Sequence, residues 1–378
     1  KKPKKEMKKK PKQKFLNFVL AIISLIMALF IGELVFKAVL GEKMALFPRY
    51  HTDAKYGKFT LRKIKPNFTF KHQSPDGVFR FKTNNKGFRN NYDVTYDPPI
   101  NTLRVISIGD SHTQGYEVNQ EETFSFICEQ RLNKFGLKAQ VLNAGVSGFS
   151  TAEELAFLEN EGIKYKPDYV ILGFYQNDFE DNIKSGLFKL ENGSLRTVKT
   201  KHLPGIRIQN TIYKFKVFKF LGENSYMYAF AFNSVWNFFK KRLAKKDKGK
   251  LQVEYAIPTK EVSQAEMDLQ IALIKRMFNF CQKNNIQLII LDIPTYELES
   301  SVGREFLPMI RNYCHKLLTY DDLADKYDKL SRVHVPNGHR HISSETHFLL
   351  GTEAADFILS DQLKQNQSFS LRTLSEKD

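Results

Sequence analysis

The first residues that could do chemistry lie in RVISIGDSHTQGYEV, where an apolar run ends on Gly109, Asp110 and Ser111. A further glycine, Gly115, follows four residues after the serine. This pattern is typical of a tight turn with a helix cap, in which Ser111 is only a turn residue. It is also what a nucleophilic serine needs, because a strand end can hold the hydroxyl in position to attack a carbonyl.

Two more groups of polar residues follow apolar runs further along the chain. The first group is Asn143, Gly145, Ser147 and Gly148 in NAGVSGFST, and the second is Gly173, Asn177 and Asp178 in GFYQND. Sites in open parallel sheets form beyond the carboxyl ends of the strands, so the three groups are expected to converge. Together they supply what acyl transfer needs: a serine hydroxyl, a backbone N–H at a glycine and a side-chain amide.

Strands and helices that alternate along the chain must position these groups. LRVISIG, AQVLNAG and PDYVILGF are predicted strands, and EETFSFICEQRLNKFG and TAEELAFLENEG are predicted helices. After an interruption the pattern resumes with a helix that ends near CQKNN, the strand IQLIILDIP, a helix near residues 302–318, a short strand around LTYDDL and a helix over residues 343–359. The alternation predicts an α/β fold with a parallel sheet covered on both faces by helices.

The three polar blocks resemble those of the SGNH, or GDSL-type, hydrolases. GDSHTQG matches the first block of that family, NAGVSG the second and GFYQND the third, in the same order and with similar spacing. The resemblance covers most of residues 103–359 and implies a flavodoxin-like parallel sheet flanked by helices. It also implies that Ser111 is the nucleophile and that the oxyanion hole consists of the Ser111 N–H, the Gly148 N–H and the Asn177 side-chain amide.

The block that carries the histidine of this family is less regular in PNGHRHISSETHFLLGTEAADFI. The favoured interpretation makes His341 the general base and Ser343 the N-cap of the following helix. The alternative makes His347 the base, with Glu345 as its acid.

The favoured interpretation leaves the base without an acid, because Gly338 and His339 stand where the family has an aspartate. An acid normally holds the imidazole in the right tautomer and stabilises the imidazolium. A backbone carbonyl, Asn337, Asp322 or Asp325 could orient the ring instead, or the reaction could run as a Ser–His dyad at a reduced rate.

The N-terminal region predicts a membrane anchor. Residues 1–14 hold nine Lys and one Glu, and residues 15–32 contain no charge. Eighteen apolar residues suffice to cross a bilayer as a helix, and no cleavage site of the signal-peptide type follows. Since lysines stay on the cytoplasmic side, the chain is expected to be a single-pass membrane protein with a cytoplasmic N-terminus and an extracytoplasmic catalytic domain.

The whole chain divides into five predicted parts. They are a cytoplasmic tail (1–14), a transmembrane anchor (15–40), an extended N-terminal segment (41–101), a hydrolase-like domain (102–362) with an insertion or lid at 182–260, and a polar tail (363–378) that is expected to be disordered. The aromatic run at residues 226–246 ends in lysines and is interpreted as an amphipathic lid or membrane-facing helix.

The net charge of +17 does not indicate a nucleic-acid partner, because the first fourteen residues account for +8 and no nucleic-acid-binding motif occurs. The histidines near the C-terminus lack the spacing of metal ligands, so neither a metal nor a cofactor is expected. Cys128, Cys281 and Cys314 are interpreted as free thiols, although one pair could form a disulfide.

These observations predict a serine esterase, acyl hydrolase or O-acyltransferase that acts through a Ser111 acyl-enzyme. The expected substrate is an ester-bearing envelope glycan or lipid, inferred from the location alone. The alternative is a catalytically weak membrane protein of the same fold that binds glycan or lipid in an envelope assembly. The missing acid is the reason to keep this alternative.

Overall fold

The computed structural model describes residues 11–203, 205–246, 262–296, 306–337 and 340–375, and it begins with helix α1, Pro11–Leu40. Within the described residues, one helix is long and apolar enough to cross a bilayer, over Lys12–Leu40 with a mean hydropathy of 2.7. None of its most apolar window is buried inside the protein. By length and composition α1 therefore fits a single membrane span, although a signal sequence has the same properties.

Two antiparallel hairpins follow α1. Their strands are β1, His51–Tyr56; β2, Phe59–Ile64; β3, Thr69–Ser74; and β4, Gly77–Lys82. Strand β1 pairs with β2, and β3 pairs with β4. On the second hairpin, the ring of Phe70 stacks on that of its cross-strand partner Phe81 and on that of Tyr50, just before β1, at centroid distances of 4.8 and 4.5 Å. All three rings belong to a hydrophobic core that also includes residues of the main sheet, so this segment packs as part of the body.

A five-stranded parallel sheet forms the centre of the molecule. Its strands are β5, Leu103–Gly109; β6, Ala139–Asn143; β7, Tyr169–Phe174; β11, Gln287–Asp292; and β12, Lys316–Leu318. The spatial order is β12-β11-β7-β5-β6. Numbered along the chain and read from the β6 edge, the five strands have the order 2-1-3-4-5. Strand β7 is buried at every position because helices cover both faces of the sheet. The predicted flavodoxin-like α/β fold is confirmed.

Helices cover the two faces of this sheet. Those before the insertion are α2, Ser111–Gln114; α3, Phe124–Lys134; α4, Thr151–Asn160; and α5, Asn177–Ser185. Those after it are α9, Gln264–Lys283; α10, Phe306–Ile310; α11, Ala324–Tyr327; and α12, Ser344–Ser375. Helices α3 and α12 pack on one face of the sheet, in the core cluster that contains Val105 and Ile171. Helices α4 and α9 pack on the other face, in the cluster that contains Ile106 and Val170.

Where the structure describes it, the predicted insertion contains three short strands and three helices. They are β8, Phe188–Glu191; β9, Ser194–Thr197; β10, Lys201–His202; α6, Ile206–Ile212; α7, Lys216–Asn224; and α8, Tyr226–Lys246. Strand β10 pairs in parallel with β2, while α6, α7 and α8 contact β1, β3 and α1 respectively. Residues 204 and 247–261 lie outside the described part. A lid over the Ser111 region stays a prediction.

Two predicted elements near the C-terminus differ from the structure. The helix expected near residues 302–318 is α10 followed by a 3₁₀ turn, Arg311–Tyr313, and β12 occupies its last three positions. Residues 302–305 lie outside the description. The helical stretch ends at Cys314, whose backbone is extended with φ −156° and ψ 162°. The final helix α12 continues to Ser375, through much of the tail that was expected to be disordered, because residues 352–378 contain neither glycine nor proline to end it.

Candidate active site

Ser111 stands at the first position of α2, directly after the turn that ends β5. The Asp110 carboxylate caps this helix by accepting the His112 N–H at 2.8 Å. Gly109 permits the tight turn, since a Cβ there would overlap the Thr113 side chain and the Gly173 carbonyl. The serine is therefore held at a strand end and a helix N-terminus, where the first backbone N–H groups have no partner within the helix.

His341 contacts this serine. Its Nε2 atom lies 2.8 Å from the Ser111 hydroxyl oxygen, across 230 residues of sequence. The backbone on both sides of the histidine is fixed: Val335 N–H donates to the His341 carbonyl at 2.9 Å, and Ser343 N–H donates to the Val333 carbonyl at 2.8 Å. The imidazole is thus positioned by a short strand-like pairing just before α12.

Glu117, which is not among the acids that the sequence suggests, contacts His341. Its Oε2 atom lies 3.4 Å from the Nδ1 atom of His341, and only 1% of the residue is exposed. The backbone of Glu117 adopts a left-handed φ of 64°, which few residues other than glycine adopt. Ser111, His341 and Glu117 therefore form one line of contacts, with the imidazole in the middle.

Arg89 holds the loop that carries this acid. Its buried guanidinium donates to the carbonyls of Gln114 and Val118 at 2.9 and 2.7 Å, and also to the carbonyl of Gly115. These acceptors lie on both sides of Glu117, so the cation fixes the loop path that turns the carboxylate towards the imidazole. Arg89 belongs to the segment before the main sheet, for which the sequence indicated no role in the site.

The other acids considered from sequence make different contacts. Asp322 accepts the Thr319 N–H at 3.3 Å, and Asp325 is exposed. The backbone and side-chain amides of Asn337 donate to Asp76 at 3.0 Å. Gly338 and His339 lie outside the described residues. The signal that could have found Glu117 was an acid within a few residues of the serine motif, rather than next to the histidine.

His347 and Glu345 do not form a pair. The Nδ1 atom of His347 accepts the Phe124 N–H at 3.2 Å, and burial lowers the pKa of His347 to about 3. Glu345 instead accepts the N–H of Ser331 at 2.7 Å and the hydroxyl of the same residue. His347 thus joins the start of α3 to α12 as a neutral acceptor, whereas the Ser111 hydroxyl is contacted by His341.

Gly148 lies in a loop that is tied to α2. The Asn143 side chain donates to the Thr113 carbonyl at 2.9 Å, and the Ser147 N–H donates to the Gln114 side chain at 2.8 Å. Gly148 has a φ of 74°, and a Cβ there would overlap the guanidinium of Arg62. Both the backbone conformation and the close approach of Arg62 require glycine at this position.

Asn177, the first residue of α5, reaches the residue before the serine. Its side-chain amide donates to Asp110 at 3.2 Å and to Asp181 at 3.3 Å. Burial raises the pKa of Asp110 to about 7. The buried Asp178 accepts the Tyr175 N–H at 3.3 Å and shapes the turn before α5. The structure therefore brings the Asn177 amide next to the Ser111 turn, with both amide hydrogens engaged by carboxylates.

Aromatic rings enclose the imidazole of His341. The rings of His112 and Tyr116 lie 4.7 and 5.0 Å from it, centroid to centroid. Burial lowers the pKa of His112 well below its usual value, so this neighbour is neutral. On the far side of the acid, His72 Nε2 lies 3.8 Å from Glu117 Oε1. These groups restrict rotation of the imidazole and keep bulk water away from its contact with Glu117.

The described residues contain no group of three or more His, Cys, Asp or Glu side chains arranged to hold a metal ion. The three cysteines, Cys128, Cys281 and Cys314, are free thiols, so the disulfide considered from the sequence is not formed.

No family model and no curated protein matches the chain. Among solved structures, it is similar to a two-domain esterase active on acetylated mannans, to TesA and to the lipase/acylhydrolase from Enterococcus faecalis. The sequence identities are 13%, 11% and 13%, and the TM-scores are 0.39, 0.34 and 0.37. The alignments cover 70%, 67% and 68% of this chain and 50%, 97% and 95% of those chains, so the chain spans about half of the two-domain esterase. Scores this low assign no activity, which has to be argued from the residues of the site.

Proposed function

We propose that the chain is an SGNH-type serine esterase, acyl hydrolase or O-acyltransferase that acts through an acyl-enzyme on Ser111. The observation that carries the proposal is the line of contacts from Ser111 Oγ to His341 Nε2 at 2.8 Å and from His341 Nδ1 to Glu117 Oε2 at 3.4 Å. A buried carboxylate, an imidazole and a half-buried serine hydroxyl at a helix N-terminus are the parts that nucleophilic acyl transfer requires.

In the proposed mechanism, Glu117 keeps the Nδ1–H tautomer of His341, so Nε2 is free to accept the Ser111 proton. The serine oxygen then bonds to the ester carbonyl carbon, and the carbonyl electron pair moves onto its oxygen. When the tetrahedral intermediate collapses, the C–O bond to the alcohol breaks and His341 returns the proton to the leaving oxygen. Water or an acceptor hydroxyl then attacks the acyl-enzyme by the same steps in reverse.

The proposed oxyanion donors are the N–H groups of Ser111 and Gly148 and the side-chain amide of Asn177. The loop contacts described above support this assignment because they tie Gly148 to the helix that begins at Ser111. Asn177 would have to release one of its two carboxylate acceptors to donate to the developing oxyanion. An oxyanion is a strong acceptor, so this exchange is favourable in the transition state.

The proposed setting is the extracytoplasmic side of a cell membrane, with the N-terminus in the cytoplasm. The apolar helix α1 and the lysines before it support this orientation. The proposed substrates are O-acylated envelope glycans or lipids, because such esters lie within reach of a domain held at that surface. Neither a nucleic acid nor a cofactor takes part in the proposed reaction.

The test is labelling of the full-length chain in detergent with a fluorophosphonate probe, which reacts with activated serines. We expect strong labelling of the wild type, none of Ser111→Ala and at least a hundredfold slower labelling of His341→Ala. His347→Gln is the matched control, because glutamine can still accept the Phe124 N–H, and it should label at a rate close to the wild type. Absence of labelling in a folded wild-type sample would contradict the proposal.

The same labelling experiment also tests the second candidate, a catalytically weak protein that binds glycan or lipid. The reason for that candidate was the missing acid, and Glu117 now stands at hydrogen-bonding range of the base. Retained binding of acylated glycan by a chain that does not label would favour it. Hydrolase and transferase are then distinguished by product analysis with and without an added acceptor alcohol.

A further inference from the structure

The end of the apolar helix α1 is joined to the body of the protein at one point. The Glu33 carboxylate accepts the Ser225 hydroxyl at 2.6 Å and the N–H groups of Tyr226 and Met227 at 2.7 and 3.3 Å. Glu33 therefore satisfies the free N–H groups at the start of α8. The last turns of α1 are part of the fold through this contact.

Packing around Glu33 extends the junction. The rings of Phe36 and Phe230 lie 5.1 Å apart, centroid to centroid. Leu46, Tyr226 and Ala229 form a small buried cluster, against which Phe36 and Leu40 of α1 pack. The orientation of α1 relative to α7 and α8 is consequently set by both a hydrogen-bonded cap and an apolar contact.

The position of Glu33 along α1 fixes its depth in a membrane. The charge-free run of residues 15–32 is about 27 Å long as a helix, close to the hydrocarbon thickness of a bilayer of roughly 30 Å. When α1 spans the bilayer, Glu33 lies where hydrocarbon gives way to headgroups. The end of α7 and the start of α8 lie at the same level, because Glu33 contacts Ser225, Tyr226 and Met227 there.

Helix α7 turns apolar side chains outward beside this level. Phe215, Val217 and Phe220 are 61%, 55% and 62% exposed, and the neighbouring Lys214 and Lys216 are also exposed. We call these five residues the α7 face. A helix on the surface of a soluble protein normally exposes its polar side, so these exposed apolar side chains indicate that something other than water covers the face.

The opposite side of α7 is the one that packs on the protein. Gly222 lies against Pro48, and Glu223 accepts the Lys71 N–H at 3.1 Å. Glu223 is the only acidic residue between positions 206 and 224. It stands beside the α7 face, because it lines one cavity with Lys216 and Phe220, and its carboxylate is engaged by the Lys71 N–H and by Lys219 at 3.7 Å. The face therefore combines apolar groups and lysines, and the carboxylate beside it is already paired within the protein.

We propose that the α7 face lies in the lipid–water interface next to α1 and binds a bilayer with anionic headgroups. The proximity to the Glu33 junction argues for lipid as the occupant, since any surface at that level meets the membrane. Phe and Val side chains enter the boundary of the acyl chains, while the lysine stems extend towards phosphate groups. The protein is thereby held to the membrane at two places and keeps one orientation. This inference does not depend on the activity of Ser111.

The test uses the full-length chain in nanodiscs that each hold one chain, with a Cys314→Ala background to remove the half-buried thiol. A fluorophore is attached at Val217→Cys or Phe220→Cys, and lipids that carry a nitroxide near the headgroup quench it. Ile100→Cys, a site that is 84% exposed on the body, is the matched control. A label at Phe18→Cys in α1 reports whether the anchor is inserted.

We expect quenching at Val217 and Phe220 at least threefold stronger than at Ile100, and strong quenching at Phe18. A quenched label at Phe18 with labels at Val217 and Phe220 no more quenched than Ile100 would overturn the proposal. An unquenched label at Phe18 would overturn it as well, because the depth argument requires α1 in the bilayer. Quenching that appears only when discs hold two chains would assign the face to a second copy.

The lysines of the α7 face supply an independent arm of the test. In discs with anionic lipid, Lys214→Gln combined with Lys216→Gln should weaken quenching at Phe220, whereas in zwitterionic discs it should change little. Equal quenching by both lipids, unaffected by the substitutions, would remove the anionic headgroup from the proposal. Fluorophosphonate labelling should be the same in all these variants, which separates failure of this inference from failure of the proposed activity.

Discussion

At the scale of single residues, the proposed site depends on Glu117, an acid that lies only six residues after Ser111. Where the SGNH pattern has an aspartate shortly before the histidine, this chain has Gly338 and His339. The carboxylate that lies at His341 Nδ1 is that of Glu117, which comes from the loop after α2. The carboxylate is 1% exposed, so its attraction for a proton-bearing imidazole is weakly screened by water. A buried acid of this kind can stabilise the imidazolium that forms during acyl transfer.

Replacement of Glu117 by glutamine tests this role directly. We expect kcat for a chromogenic ester to fall by about 10²- to 10⁴-fold with a small change in KM, because the tautomer and the imidazolium both lose their partner. The acidic limb of the kcat/KM profile should also move to lower pH, since His341 would lose a proton more easily. Glu121→Gln, an exposed acid four residues on, is the control and should behave as wild type. Equal activity of Glu117→Gln and wild type would leave the dyad mechanism in place.

At the scale of elements, the site depends on a segment outside the central sheet. Strand β3 brings His72 to within 3.8 Å of Glu117, and Arg89 fixes the loop after α2. Sequence patterns predicted the strands of the sheet because buried parallel strands are continuous apolar runs, and they predicted which polar groups follow those strands. Apart from the nearness of Glu117 to the serine motif, they gave no sign of Glu117 or Arg89, because a left-handed backbone at a glutamate and a cation that binds three carbonyls depend on tertiary contacts.

Arg89→Lys tests whether the loop contacts matter for chemistry. A lysine can reach one carbonyl at most in the same geometry, so the loop should relax and the distance from Glu117 to His341 should grow. We expect a tenfold to hundredfold loss of kcat, a smaller change in KM and a lower melting temperature. Arg80→Lys on the exposed side of β4 is the matched control and should alter neither quantity. A variant that melts early but turns over normally would show that Arg89 only stabilises the fold.

At the scale of the whole molecule, buried neutral histidines tie stability to pH. Burial lowers the pKa of His347 to about 3 and that of His334 to about 4. In the unfolded chain each titrates near 6.5, so below that pH the unfolded state binds more protons than the folded state. The stabilisation from keeping these rings neutral is complete above about pH 6.5 and is lost as the pH falls.

His347→Gln should reduce this acid sensitivity. The wild type loses up to about 1.4 kcal/mol of unfolding free energy per pH unit from this one group between pH 6 and 4. Glutamine keeps an acceptor for the Phe124 N–H without binding a proton, so the slope of unfolding free energy against pH should be smaller by that amount. Denaturant unfolding followed by circular dichroism measures it, with pH 8 as the reference condition. An unchanged slope would mean that the acid lability comes from other groups.

The short stretch of chain between Ser111, at the start of α2, and Glu117, in the loop after it, has a consequence for biosynthesis. The proposed nucleophile and the proposed acid emerge together, whereas the histidine follows 230 residues after the serine. On the proposed mechanism, a nascent chain can complete its first strands and the loop that carries Glu117 long before His341, the general base, has been synthesised. On that mechanism the chain would stay inactive during translation until the segment that carries His341 docks against Ser111.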